Sequence, residues 1–112
     1  MDNKKTNDYF IQKIQNDLNF IITHINNITK LELSQNEVLL DSMLFRLIQI
    51  SENAKKLSED FKIKNKSIPW TALYGFRNRI VHDYGNVELD IVYDTLKEDI
   101  PELLELFKSI SS

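Results

Sequence analysis

The sequence predicts an all-α protein, a small antiparallel up-and-down bundle of four to five helices formed by a single domain, residues 1–112. Three observations predict this class. Apolar side chains recur at steps of three and four residues, no segment alternates apolar with polar side chains as a strand would, and 42% of the residues are hydrophobic, as in globular proteins. A chain of this length buries roughly two-thirds of its unfolded surface, which suffices for a core of its own.

The first two predicted helices contain the longest apolar repeats. Residues 7–29 are expected to form one amphipathic helix, whose apolar face consists of Phe10, Ile14, Leu18, Ile21, Ile25 and Ile28. The second helix is expected to start just before Val38, because residues 34–37, SQNE, have the form of a capping box, and to continue to about residue 62. Its apolar residues cover more than one face, which suits a central bundle helix, a subunit interface or simply a well-buried helix.

The C-terminal half predicts two further helices. Pro69 suits the first turn of a third helix, and Gly85 suits its end as a left-handed terminator. Asn86 is expected to cap a fourth helix, whose apolar stripe includes Leu89, Val92, Leu96, Leu103, Leu106 and Ile110. Pro101 lies within that stripe and therefore predicts a kink, or a break and restart.

Residue counts exclude several chemistries. The absence of cysteine rules out disulfides, zinc ribbons and thiol catalysis, and it favours a cytoplasmic location. Two glycines ten residues apart cannot form a Walker loop or a Rossmann fingerprint. His24 and His82 lack the spacing of a transition-metal site, so neither a metal nor a cofactor is expected, and His24 is expected to be an exposed helical residue. The N-terminus lacks the apolar core of a signal peptide, and no apolar run is long enough to cross a membrane.

The net charge of -3 conceals a basic middle segment. Residues 55–79 carry seven lysines and arginines against two acidic residues, whereas the last helix is acidic. Lys62, Lys64, Lys66 and Arg79 are therefore candidates for contacts with a polyanion such as RNA. On charge alone, a solvated loop with scattered lysines explains the segment at least as well.

The most distinctive polar stretch is GFRNRIVHDYG, residues 75–85. Arg77 and His82 are five residues apart, which places them about 140° apart around a regular helix. To act on one substrate, the arginine must reach around, the helix must loosen near Gly85, or a second subunit must contribute its own pair. A histidine can move protons near neutral pH, an arginine can hold a phosphate, and the 2′-hydroxyl of RNA is an internal nucleophile that requires no metal. A structural role is the alternative, with His82 complementing the helix dipole and Arg77 pairing with an acidic side chain.

Residues 77–84, RNRIVHDY, fit the Arg-x4-His-x-Tyr motif of the HEPN superfamily, in the form typical of HepT-like toxins. The resemblance extends over about residues 38–104. DSMLFRLIQISENA is similar to the family's second helix, IPW followed by GFRN resembles the entry to its motif helix, and ELDIVYDTLKEDIPEL is similar to its closing helix. Ser51, Asn53 and the pair Gly85-Asn86 depart from the family pattern, and none of them changes the motif itself.

The resemblance implies a HEPN-like fold and a metal-independent RNA endonuclease toxin that works as a homodimer, with paired motifs lining a cleft between subunits. Carried onto this sequence, His82 would be the general acid/base and Arg77 the phosphate clamp. Asn78 is expected to orient the substrate or His82, and Glu52 to hold Arg77 or Arg79 from the neighbouring helix.

The same resemblance implies a regulator. In HepT-like toxins the motif tyrosine, here Tyr84, is modified with AMP by a cognate antitoxin, an MntA-like minimal nucleotidyltransferase. Phosphate and adenosine on Tyr84 would block RNA by charge repulsion and by occupancy. The superfamily also contains catalytically inactive modules that serve as binding partners of nucleotidyltransferases, and this is the competing expectation.

Overall fold

A computed structural model describes the backbone of residues 3–83 and 88–110 and the side chains of residues 7–76 and 88–110. Every regular element within those ranges is helical, which confirms the predicted all-α class. The helices are α1 (Asn3–Ile25), α2 (Lys30–Ser34), α3 (Glu37–Lys55), α4 (Glu59–Lys64), α5 (Trp70–Asp83), α6 (Leu89–Asp94) and α7 (Ile100–Lys108), with a π-helical turn (Thr95–Asp99) joining the last two.

Two side-chain contacts show that α1 and α3 are antiparallel. The side-chain amide of Asn7 donates a hydrogen bond to the hydroxyl of Ser58, just beyond the end of α3, at 3.0 Å. Ten residues further along α1, the carboxylate of Asp17 accepts one from Arg46, in the middle of α3, at 2.7 Å. Residue numbers therefore rise along α1 as they fall along α3.

The closing helix, from α6 through α7, runs back along α1 in the same way. The Tyr93 hydroxyl donates to the Ile28 carbonyl at 2.6 Å, and the Gln15 amide donates to the Phe107 carbonyl at 3.2 Å. With α5 packed on α3, the result is the predicted up-and-down bundle. Its upper end contains the end of α1, all of α2, the start of α3, the end of α5 and the start of α6.

The hydrophobic core lies between α1, α3, α5 and the closing helix. Its fully buried side chains include Ile14, Leu18, Ile21, Met43, Ile50, Leu73, Leu96, Ile100 and Phe107. Burial of each side chain of this size contributes about 1.5–3 kcal/mol. The helical spacing of these residues along the sequence is therefore the main cause of the fold.

The helix start predicted just before Val38 is confirmed, but the predicted capping box is wrong. Asn36 caps α3 by accepting a hydrogen bond from the backbone of the first turn, whereas Ser34 belongs to the end of α2. A capping box is present one helix earlier, where Thr29 and Glu32 bond to each other's backbone N–H. Residues 34–37 have the sequence of a capping box, but Ser34 is already part of α2 and so cannot cap α3.

Two predicted helix ends are also wrong. The first helix ends at Ile25 instead of residue 29, because Asn27 adopts the left-handed conformation with a φ of 61°. The second ends at Lys55 instead of about residue 62, because the Ser58 hydroxyl caps a separate helix, α4. Apolar residues stay buried on both sides of this break, so the periodicity does not reveal it.

The predicted break and restart at Pro101 is wrong, because the helix continues through a π-helical turn, Thr95–Asp99, that precedes the proline. The N–H of Ile100 donates to the carbonyl of Thr95, five residues earlier. Proline lacks an N–H and its ring crowds the carbonyl four residues before it, and a widened turn relieves both conflicts. The expected roles of Gly85 and Asn86 fall outside the described residues.

Candidate active site

The motif helix α5 is anchored firmly at its N-terminal end. Pro69, which the sequence places in the first turn, lies instead one residue before the helix starts at Trp70, and its carbonyl accepts the hydrogen bond of the Leu73 N–H. The indole N–H of Trp70 donates to the Asn65 carbonyl at 3.2 Å, and its ring meets Phe61 and Phe107 edge-on, each with centroids 6.0 Å apart. These contacts fix where α5 starts and in which direction it leaves the core.

The backbone of α5 is helical through Asp83, so Arg77 and His82 lie on one helix about 140° apart around its axis. Asn78 and Arg79 lie on the same helix, and Asn78 is one turn before His82. The side chains of these four residues, and the whole of Tyr84, fall outside the described residues.

The packing of α3 against α5 sets the position of Glu52 relative to the motif. Ser51, fully buried on α3, donates through its hydroxyl to the carbonyl of Tyr74 on α5 at 3.3 Å. Trp70, at the start of α5, contacts Phe61 beyond the end of α3, whereas Tyr74 contacts Ser51 within α3, so the two helices are antiparallel. At a rise of about 1.5 Å per residue, Arg77 is displaced along the axis from Glu52 by about 6 Å. Arg79 is displaced by about 9 Å. Glu52 is half-buried at this level.

The lysines of the basic segment differ in accessibility. The side chain of Lys62 is only 10% exposed, and its Nζ lies 3.8 Å from a Glu59 oxygen and 5.0 Å from the centre of the Tyr74 ring. Lys64 and Lys66 are exposed. Lys64 and Lys66 are thus better placed than Lys62 to meet a phosphate.

Two depressions flank the first half of α5. We call the larger and more open one, of about 750 Å³, the basic concavity; it is lined by Lys62, Ile63, Lys66, Ile68, Pro69, Trp70, Thr71 and Ala72. The second, of about 330 Å³, lies between α5 and α7 and has two carboxylates at its edge; it is lined by Ser67, Pro69, Ala72, Leu73, Phe76, Asp99, Glu102, Leu103 and Leu106. Cationic and acidic surfaces therefore adjoin the same helix.

The outer face of α3 exposes apolar side chains. Val38 and Phe45, seven residues apart and hence on one face, are 80% and 54% exposed, and Ile48 beside them is half-buried. The broad apolar character of this helix was visible in the sequence, but which of its apolar residues point outward was not.

Two other polar residues singled out in the sequence, Arg46 and His24, contact residues of α1. Arg46, part of the family resemblance, pairs with the buried carboxylate of Asp17, and its guanidinium lies 3.7 Å from the centre of the Phe20 ring. His24 is exposed on α1, as predicted. Its Nδ1 lies 2.8 Å from the Phe20 carbonyl, so Nδ1 carries the proton, and its ring stacks on that of Phe20.

Near the upper end of the bundle, Lys30 on α2 and Asp90 on α6 form an ion pair at 2.7 Å. The hydrogen bond and the charge of Asp90 raise the pKa of Lys30 above its ordinary value. This pair and the Tyr93–Ile28 hydrogen bond hold the start of α6 in place, close to where the chain returns from the motif helix.

Within the described side chains, no three histidine, aspartate or glutamate residues lie together as a metal site requires. Among the helices of those same ranges, none combines the length and apolar character needed to span a bilayer.

Comparison with known proteins identifies the class of this helical bundle. The chain matches the family described as Ribonuclease HepT-like over residues 14–110. It is 28% identical to "Putative RNase TTE0752" of Caldanaerobacter subterraneus subsp. tengcongensis over 95% of both chains. It is 30% identical to "Putative RNase MJ1216" of Methanocaldococcus jannaschii over 90% of this chain and 84% of that protein. "Probable ribonuclease HepT" of Thermococcus cleftensis is 34% identical over 54% of this chain and 56% of that protein.

No solved structure matches the chain. The family match runs from the middle of α1 past the end of α7 and includes all of α5. The chain therefore belongs to the HepT-like ribonuclease family, as the resemblance of its motif predicted.

Proposed function

We propose that this protein is an RNA endonuclease toxin of a toxin-antitoxin system, active as a homodimer and independent of metal ions. The observation that carries the proposal is the family match over residues 14–110, which contains the complete motif helix. One relative is named "Probable ribonuclease HepT", which points to the same activity. Arg77 and His82 are the catalytic residues of the proposal.

The chemistry follows from these two side-chain types. A histidine takes the proton from the 2′-hydroxyl of RNA as its oxygen attacks the adjacent phosphorus. The bond between phosphorus and the 5′-oxygen breaks while that oxygen receives a proton, which leaves a 2′,3′-cyclic phosphate and a 5′-hydroxyl. Arg77 holds the phosphate and stabilises the charge that develops on it. No metal is needed, because the nucleophile is part of the substrate.

A second copy of the chain completes this site. The separation of about 140° between Arg77 and His82 keeps one helix from presenting both to a single phosphate easily. The exposed apolar face of α3, with Val38 and Phe45, is suited to a twofold contact between copies. The motif helix α5 packs beside α3, and in this proposal the dimer places the two motif helices on opposite sides of one cleft.

Two further residues support the catalytic pair in this proposal. Asn78, one helical turn before His82, orients the substrate or the imidazole. Glu52 holds Arg77 in preference to Arg79, because its displacement of about 6 Å along the helix axis is the smaller one.

Regulation acts through Tyr84 in this proposal. A cognate MntA-like minimal nucleotidyltransferase antitoxin joins the tyrosine oxygen to the α-phosphate of ATP, and pyrophosphate leaves. The added phosphate carries negative charge to the side of Arg77 and His82, and the adenosine occupies space that RNA would use. Intact-mass measurement of protein co-expressed with its antitoxin tests this step, and an unmodified Tyr84 in a silenced complex would contradict it.

Cleavage of total cellular RNA by antitoxin-free protein, in the presence of a chelator, tests the nuclease. His82→Ala should lose discrete cleavage by about 10²–10⁴-fold, the usual contribution of a general acid/base. His24→Ala is the matched control, because it removes the other histidine from an exposed position on α1. Intact RNA with folded wild-type dimer would refute the nuclease.

The second candidate is a catalytically inactive module that binds a nucleotidyltransferase. The net charge of -3 and the two exposed carboxylates at the start of α7, Asp99 and Glu102, favour it, since affinity for RNA depends on cationic contacts with phosphates. Tight binding to the nucleotidyltransferase without any RNA cleavage would establish this candidate.

A further inference from the structure

Gly75 lies inside the motif helix at a point where the fold of the single chain does not require a glycine. It is in the interior of α5, it has no positive φ, and a Cβ built on it meets none of the described atoms within 4 Å beyond its own helical turns. A glycine within a helix is destabilising relative to alanine, because it loses more backbone freedom on folding. The packing of the described residues therefore gives no reason for a glycine at this position.

Gly75 shares its side of α5 with His82. The two residues are seven positions apart, so they differ by only about 20° around the axis and by about 10 Å along it. Asn78 lies between them on the same side. A molecule held at His82 that extends toward the start of α5 must pass over Gly75, where the missing Cβ exposes the main chain.

The surface beyond Gly75 is suited to a phosphate backbone. Thr71, exposed and one turn earlier on α5, leads into the basic concavity with Lys66 and the Trp70 ring. An exposed cationic side chain beside an aromatic ring is a combination that proteins use to bind single-stranded nucleic acid. The apolar surface suited to a second copy of the chain lies instead on α3, at Phe45 and its neighbours.

We infer that the sugar-phosphate backbone of the RNA substrate packs directly on the main chain of Gly75. In this arrangement Gly75 positions the nucleotides next to the bond that is cut at His82, and the strand continues toward the basic concavity. The inference rests on the proposed ribonuclease function. It adds a direction for the bound strand along α5. It also gives Gly75 a role that depends on the lack of a side chain.

The test compares wild type, Gly75→Ala and Asn16→Ala as full chains. Asn16→Ala places alanine on an exposed position of α1 and controls for increased helix stability. Gly75→Ala should raise Tm by about 4 °C, because alanine favours the helix and its methyl group meets open space. On RNA, kcat/KM is measured for a single-stranded oligonucleotide and for a dinucleoside phosphate, which contains only the bond to be cut.

The advantage of the oligonucleotide over the dinucleoside phosphate should shrink about tenfold in Gly75→Ala, as a displaced strand requires, and should stay the same in Asn16→Ala. An undiminished advantage overturns the inference. Dissociation of the dimer by Gly75→Ala, at concentrations where wild type is dimeric, would assign this position to a contact between copies and also overturns it. If wild type cleaves neither substrate, the proposed function fails and the inference fails with it.

Discussion

The hydroxyl of Ser51 on α3 donates a hydrogen bond to the main-chain carbonyl of Tyr74 on α5, and Ser51 is completely buried. This contact lies less than one helical turn before Arg77. At 3.3 Å it is long for a hydroxyl donor, so the hydrogen bond itself is weak. The small size of the side chain, which lets the two helices approach, is the more important property.

Ser51→Ala should therefore change the free energy of unfolding by less than about 0.5 kcal/mol, since better helix propensity offsets the lost bond. Ser51→Leu should destabilise by about 2 kcal/mol and lower RNA cleavage, because the larger side chain pushes α5 away from α3. Urea unfolding of both variants measures the difference. Equal losses in the two would show that the hydrogen bond, and not the size, matters.

Arg46→Ala should destabilise the fold by about 2 kcal/mol, because it leaves the Asp17 carboxylate, 9% exposed, without its cation and uncovers the Phe20 ring. The 31% exposure of Arg46 keeps this value below that of a fully buried pair. Arg46→Lys should recover only part of the loss, since an ammonium cannot stack flat on the ring. The denaturant midpoints of unfolding of the two variants and wild type test this. An unchanged midpoint for Arg46→Ala would mean that solvent replaces the ion pair at no cost in stability.

Glu52 should be coupled energetically to Arg77 and not to Arg79. A double-mutant cycle on kcat/KM, combining Glu52→Gln with Arg77→Lys or with Arg79→Lys, measures both couplings. We expect about 1 kcal/mol for the Arg77 cycle and less than about 0.5 kcal/mol for the Arg79 cycle, because residues in contact are non-additive and separated ones are additive. The reverse order would show that α5 is rotated relative to the register set by Ser51 and Tyr74.

The Lys30–Asp90 pair gives a stability that depends on pH at the alkaline end. Because the pKa of Lys30 is raised in the folded chain, its contribution is complete below the ordinary lysine value of 10.5 and disappears as the pH rises through the higher folded value. Lys30→Met should thus lower Tm slightly at neutral pH and low salt. The difference in Tm between wild type and this variant should disappear at alkaline pH or high salt. Lys55→Met, at another exposed lysine, is the control. A gap that persists in strong alkali would point to packing of the lysine stem.

The fold class follows from the sequence because helical periodicity and core formation depend on the same side chains, such as Ile14 and Ile50. The helix break at Ser58 does not follow from the sequence, because buried Leu57 and Phe61 continue the helical spacing of apolar residues across it. The motif residues can be named from sequence, since their spacing is local. The register of α3 against α5, which brings Glu52 closer to Arg77 than to Arg79, cannot be predicted from the sequence, because it depends on how the two helices pack.

The π-helical turn Thr95–Asp99 keeps the closing helix in phase with the core. Its buried side chains advance in steps of four, from Val92 to Leu96 to Ile100, and each step of four in an α-helix overshoots one turn by about 40°. The wider turn absorbs the excess, so that α6 and α7 both face inward. Deletion of one residue here would return this turn to regular α-helical geometry.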